Sequence, residues 1–187
     1  MKISGILIAG GKSKRMGTDK SLLTYGQQSF VERAANLLLQ FTDDLLISSN
    51  TNYPDFTYKF VSDNTPNTGP IGGLHTCLSY IKYDSALVIP VDMPLLTTEV
   101  FTFLLQQADS SKKINIFRAN NRLQMLTGLY HKDLIPIIKQ QIDAGDYKLQ
   151  NLLKKIPHHI INAGDFSSQF ININTPESLQ KLQQKNG

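Results

Sequence analysis

The sequence predicts an α/β fold: a three-layer α/β/α sandwich on a mostly parallel, Rossmann-like sheet. Three observations lead there. Apolar strand-like runs alternate with helical stretches for most of the length. Two of those runs carry the signature of strands covered on both faces: Lys2 to Ala9 alternates little and is rich in isoleucine and leucine, and Ser85 to Val91 is strongly apolar. Helix-start signals recur between them, each of a residue type that satisfies the unpaired N–H groups of a first turn.

Taken in order, Lys2 to Ala9 is the first strand, and Gly10, Gly11 and Gly17 open a loop that reaches Lys20. Ser29 caps a helix, with Glu32 three residues on completing a capping box, and Phe30, Ala34, Leu37, Leu38 and Phe41 form its buried stripe. Leu45 to Ser49 and Tyr58 to Val61 follow as strands. Gly69-Pro70-Ile71-Gly72-Gly73 reads as a turn cluster opening onto a helix through Leu74, Cys77, Leu78 and Ile81. Ser85 to Val91, the central strand, ends in Asp92-Met93-Pro94. Thr97 or Thr98 caps the next helix, which buries Val100, Phe101, Leu104 and Leu105. Lys113 to Arg118 and Met125 to Tyr130 are two more strands around an Asn120-Asn121 turn, giving the sheet some mixed character. A helix with Pro136 near its start and a short helical piece from Leu149 to Leu153 come next. Phe170 to Ile173 reads as a last strand, and Thr175-Pro176-Glu177 starts the final helix with a cap and a first-turn proline. No repeat, linker or low-complexity tract interrupts this series, so residues 1–187 are expected to form one domain.

Composition narrows the classes. With 41% hydrophobic and 18% charged residues in 187, the chain is an ordinary globular mixture able to bury its own core. A single cysteine, Cys77, rules out an intramolecular disulfide and a cysteine metal cluster, and suits a reducing compartment. The apolar run from Ile6 to Ala9 is too short for a secretion signal, and no run approaches a membrane span, so a cytoplasmic protein without membrane contact is expected. The net charge of +4 is dispersed except at the start, where Lys2, Lys12, Lys14, Arg15 and Lys20 are interleaved with glycines. No long basic stripe with interleaved aromatics indicates nucleic acid.

In α/β sheets ligands bind beyond the carboxyl ends of strands. Two polar segments stand there: Gly10 to Lys20 after the first strand, and Asp92 after the central one. Paired glycines let the backbone approach an anion, and Arg15 and Lys20 can supply positive charge. The segment is no P-loop, since Ile6 stands where that motif needs glycine, and adjacent Gly10-Gly11 breaks the dinucleotide pattern. Taken alone the glycines also fit a structural turn. Asp92 suits either a turn or a Mg²⁺ site shared with phosphate oxygens, and Asp63 either a turn or hydrogen bonds from a base or ribose.

Ile8-Ala9-Gly10-Gly11-x-Ser13-x-Arg15-Met16-Gly17-x-Asp19-Lys20 resembles the opening motif of the molybdenum cofactor guanylyltransferases. Gly69-Pro70-Ile71-Gly72-Gly73-Leu74, Asp92-Met93-Pro94-Leu95-Leu96 and Phe170-Ile171-Asn172-Ile173-Asn174-Thr175-Pro176-Glu177 are similar to three further blocks of that family, in family order. The resemblance implies transfer of GMP from GTP to the terminal phosphate of molybdopterin, with Mg²⁺ as cofactor and pyrophosphate as the second product. It implies that Ile8, Ala9, Gly10 and Gly11 contact GTP, that Lys20 neutralises its phosphates and that Asp63 contacts the guanosine. Asp92 would ligate the metal, and Arg15, Lys20 and Asp92 would be catalytic. Gly17, Gly69 and Gly73 would belong to the nucleotide pocket, with Asn172 and Asn174 on the pterin side. Transient contact with other proteins of the same biosynthesis is implied as well. The nearest alternative is a sister transferase using CTP or another phosphorylated acceptor.

The chain departs from the family pattern at Gln124-Met125-Leu126, where relatives carry a proline, and at Tyr147 and Lys148, where they carry arginines. Both departures fall in the half expected to hold the pterin. His75, His131, His158 and His159 lack zinc spacing, and Cys77 lies on an apolar helical face, so these read as surface or core residues.

Overall fold

Strand β1 (Ser4–Ile8) is the centre from which the sheet is built. The computed structural model describes residues 2–10, 22–51, 56–65 and 67–185. After β1 come a two-stranded hairpin, β2 (Thr24–Tyr25) and β3 (Gln28–Ser29), and helix α1 (Phe30–Leu39). Then follow β4 (Leu45–Ser48), β5 (Lys59–Val61), α2 (Pro70–Leu78), β6 (Ser85–Pro90) and α3 (Thr98–Gln107). The second half holds β7 (Ile114–Ala119), β8 (Arg122–His131), α4 (Ile135–Asp143), β9 (His158–Asn162) and α5 (Pro176–Lys185), with short 3-10 helices between them.

The main sheet runs β5-β4-β1-β6-β8-β7-β9. All neighbours are parallel except β8, which is antiparallel to both β6 and β7. Consecutive residues of the central strands feed opposite faces, as the period of two requires. Leu7, Ile47, Leu87 and Ile89 pack with α1 and α3 in one core, while Ile6, Ile8, Leu46, Ala86 and Val88 pack with α2 and α4 in the other. Three layers result, as expected. No helix among the described residues is long and apolar enough to cross a membrane.

The Ser29 capping box forms in full: its Oγ accepts from Glu32 N, and the Glu32 carboxylate accepts from Ser29 N at 2.8 Å. Asn120 and Asn121 both take positive φ, 50° and 59°, and close the tight turn between β7 and β8. Other expectations need correcting. The Gly69–Gly73 cluster is not one turn, because α2 begins at Pro70 and takes Gly72 and Gly73 into the helix. Thr97 occupies the cap position of α3 without a side-chain cap bond. Phe170 to Ile173 is not a strand. Phe170 and Ile173 are buried anchors while Ile171 is 44% exposed, and the Ile173 N–H donates to Asp92 O rather than to a ladder. The strand at that edge is β9, paired with β7 over His158–Asn162 and opening on His158 and His159.

Candidate active site

Strand order reverses direction at β1, with β4 on one side and β6 on the other. Such a switch point leaves a crevice at the carboxyl ends of the strands. Here a second feature widens it. Strands β6 and β8 stay paired only as far as Val88–Gly128, and the next β6 residue but one, Pro90, has no N–H to offer a ladder. On its other side β8 jumps register: Ile116 pairs with Gly128 but Phe117 pairs with Gln124, so Met125, Leu126 and Thr127 bulge from the ladder. The Tyr130 hydroxyl, fully buried, donates to Met125 O and pins the bulge. A cleft of about 450 Å³ opens in the gap. Its walls are Ile8, Ala9 and Gly10 from β1, Pro90 to Met93 from β6, Leu123 to Leu126 from β8, and Pro70, Leu149, Gln150 and Asn172. The departure from the family pattern at Met125 therefore lies within the bulge.

On the β4 side, the amides of Ala9 and Gly10 both donate to Ser48 O, at 3.0 and 2.8 Å. The Gly10 N–H, offered to an anion by the sequence reading, is engaged by β4 because β1 keeps up its pairing two residues past its end. Ser48, 2% exposed, donates its hydroxyl to Asp63 Oδ1 at 3.1 Å. The Asp63 N–H donates to Asn50 Oδ1 at 3.0 Å. Burial raises the Asp63 carboxyl above the ordinary aspartate value, against the pull of Ser48 and Asn50. Because burial disfavours the charged form, this group costs stability as pH rises through its titration range. A ligand that donates hydrogen bonds to the carboxylate offsets that cost.

Helix α2 approaches this pair closely enough to explain Gly73. A Cβ there would lie 2.2 Å from Ser48 Oγ and 3.2 Å from Asp63 Oδ1. The Gly73→Ala variant is expected to turn the serine hydroxyl off Asp63 and to lose roughly 1–2 kcal/mol of stability, measurable by thermal unfolding. Gly69 precedes α2 with φ at +69°. Cys77 lies on the buried face of α2, its thiol pushed up to about 12 by burial and by Asp63, as suits a core residue.

On the β6 side, Val91 N donates to Ile8 O at 3.0 Å and holds the turn that carries Asp92. Asp92 is half-buried at the rim. Its main-chain carbonyl accepts from Ile173 N at 2.8 Å, and its carboxylate accepts from Asn172 Nδ2 at 3.0 Å. Asn172 thus reaches the aspartate directly, a contact 80 residues apart in sequence. Asn174 lies exposed on the same segment. Arg33 on α1 donates Nε to Pro94 O and stacks over the Tyr25 ring at 5.4 Å, bracing the Asp92 turn against the hairpin. No sequence signal pointed to Arg33, Ser48 or Asn50, since each acts through a residue distant in the chain. Gly11, Arg15, Gly17 and Lys20 lie outside the described residues. No group of three or more metal-ligating side chains gathers among the described residues.

A doubly wound sheet with a cleft at its switch point and a carboxylate on either side of the β1 end is the architecture of a nucleotide-binding α/β protein. Residues 5–160 match the family model of the MobA-like NTP transferase domain. A molybdenum cofactor guanylyltransferase of Shewanella halifaxensis is 32% identical over 190 residues, covering 97% of this chain and 94% of that one. Another, from Vibrio parahaemolyticus, is 29% identical over 185 residues, covering 97% and 95%. Among solved structures, the molybdopterin-guanine dinucleotide biosynthesis protein A of Archaeoglobus fulgidus superposes with a TM-score of 0.83 at 19% identity, covering 100% and 98%. The chain belongs to the MobA-like NTP transferase family and is a nucleotidyltransferase.

Proposed function

We propose that this enzyme transfers GMP from GTP to the terminal phosphate of molybdopterin, releasing pyrophosphate. The observation that carries the reading is the placement of Ile8, Ala9 and Gly10 between two carboxylates, Asp63 on the β4 side and Asp92 on the β6 side. In this reading the nucleotide lies along the β1 end. Asp63, held by Ser48 and Asn50, accepts hydrogen bonds from the N–H edge of guanine. Among the described residues a Cβ on Gly10 would meet only ordinary contacts of 3.6 Å or more, so a glycine there suits close approach of a ligand.

The residues fit Mg²⁺. That ion takes one or two carboxylates and fills its shell with phosphate oxygens and water, and Asp92 at the cleft rim offers one such carboxylate. When bound, the ion would neutralise charge on the phosphate oxygens. Everything else falls to the chain. A phosphate oxygen of the acceptor attacks the α-phosphorus of GTP, and the bond to the pyrophosphate oxygen breaks. The nucleophile is already anionic, so no strong base is needed. Catalysis rests on positioning and charge. Asn172 orients the Asp92 carboxylate, Arg15 and Lys20 neutralise the leaving pyrophosphate, and the β8 bulge with Leu149 and Gln150 walls the acceptor side. A cytoplasmic location and transient contact with other proteins of this biosynthesis accompany the proposal.

Calorimetry with GTP, CTP, ATP and UTP in the presence of Mg²⁺ tests it. GTP is expected to bind preferentially and to weaken in Asp63→Ala; preference for CTP would overturn the guanylyltransferase assignment. Acidification should add a second signature. Since burial raises the Asp63 carboxyl, GTP affinity is expected to fall on acidification sooner than an ordinary aspartate would make it, as the carboxylate takes up a proton. Asp63→Asn, which cannot titrate, should lack that component.

A further inference from the structure

We infer that Gln141 and Asp146 are positioning residues that fix the acceptor-side wall of the cleft. The inference rests on the proposed function, since it takes that wall to be where the acceptor binds. Gln141 is a fully buried polar residue on α4, between the buried positions Ile138 and Ile142. An apolar side chain would be the less costly occupant of such a site, because burying a polar group needs compensation. Among the described residues the glutamine's Oε1 has no hydrogen-bond partner, so packing of α4 does not account for it.

Its Nε2 does have a partner, and that partner is in the loop leading to the cleft. Gln141 Nε2 donates to Lys148 O at 2.9 Å, and Gln141 O accepts from Asp146 N at 3.1 Å. Asp146 Oδ1 in turn accepts from Lys148 N at 3.1 Å, and the same carboxylate accepts from Asn151 Nδ2 at 3.0 and 2.9 Å. Both main-chain groups of Lys148 are therefore held, the N–H by Asp146 and the carbonyl by Gln141 together with Asn151 N, which donates to it at 3.0 Å. The next two residues, Leu149 and Gln150, line the cleft. With Lys148 fixed on both sides, their backbone has one direction in which to leave it. Neither Gln141 nor Asp146 lines the cleft itself, so each acts through Lys148.

Steady-state transfer kinetics with GTP and molybdopterin test this, on Gln141→Leu, Asp146→Ala and Asp146→Asn. Gln141→Leu removes the donor and leaves an apolar side chain in the core, and Asp146→Ala removes the carboxylate that holds Lys148 N and Asn151 Nδ2 in a loop. Both are expected to raise the KM for the acceptor roughly fivefold to tenfold, the factor one lost hydrogen bond carries. The Kd for GTP should stay at the wild-type value in both. Asp146→Asn keeps an oxygen that accepts from Lys148 N and is expected to restore the acceptor KM. An unchanged acceptor KM in folded Gln141→Leu and Asp146→Ala, or an equal loss in GTP binding, would overturn the inference while the wild type still transfers GMP. A wild type that binds no GTP and transfers no GMP would instead overturn the proposed function, and this inference with it.

Discussion

Asp92→Ala is expected to lower GMP transfer at least ~100-fold, the scale for losing one preorganised electrostatic contact. The fold should be indifferent to the change. The main-chain bonds from Val91 N to Ile8 O and from Ile173 N to Asp92 O, and the Arg33 bond to Pro94 O, survive the substitution. Asn172 loses its acceptor, but it is exposed and water can replace it. Single-turnover transfer measured beside thermal unfolding separates the two effects. Near-normal turnover in a well-folded Asp92→Ala protein would remove the metal assignment, whereas a large loss that higher Mg²⁺ concentrations partly restore would support it.

Gly128→Ala should have the largest effect on stability. This glycine stands where β8 leaves its pairing with β6 and enters the bulge. A Cβ there would lie 2.3 Å from Asn115 O, 2.8 Å from Ile116 Cγ2 and 3.1 Å from Ile116 Cα. Two of those atoms are backbone of the neighbouring strand and cannot turn aside as a side-chain end could. Relief requires β7 and β8 to separate, at a cost of roughly 3 kcal/mol. For a chain of this size that corresponds to about 10 °C in Tm. Because the bulge forms one wall of the cleft, the variant is also expected to weaken acceptor binding more than GTP binding. An unchanged melting temperature would show that the register jump is not held at Gly128.

The central strands were legible because burial on both faces leaves a continuous apolar run, and α1 because Ser29 and Glu32 sit at the one spacing that closes a capping box. The β9 edge was not, because His158 and His159 break the apolar pattern that marks a strand, and its pairing with β7 is a long-range choice. Phe170 to Ile173 misled for the opposite reason: its large apolar residues suggest a strand, but Phe170 and Ile173 anchor an irregular segment to the core. The hairpin of β2 and β3, two residues per strand, gives no periodicity to read. At the site, Asp63 and Asp92 were visible as carboxylates beyond strand ends. Of the groups that orient them, Ser48 was not visible and Asn172 was expected on the pterin side rather than on Asp92. Ser48 and Asn172 lie 15 and 80 residues from their partners, and only the folded sheet brings them within reach.

The hold of residues 170–174 on Asp92 sets the order in which the protein comes into being. A ribosome makes a chain from its N-terminus, and β9, the last strand of the sheet, ends at Asn162. Every strand has therefore been synthesised before Asn172 and Ile173 exist to grip the aspartate. Until then the Asp92 carboxylate lacks its Asn172 partner, and the core on the α1 and α3 side lacks Ile173. Chains interrupted after β9 would hold every described strand but lack Phe170, Asn172 and Ile173, so the Asp92 site is completed only once residues 170–173 have been made.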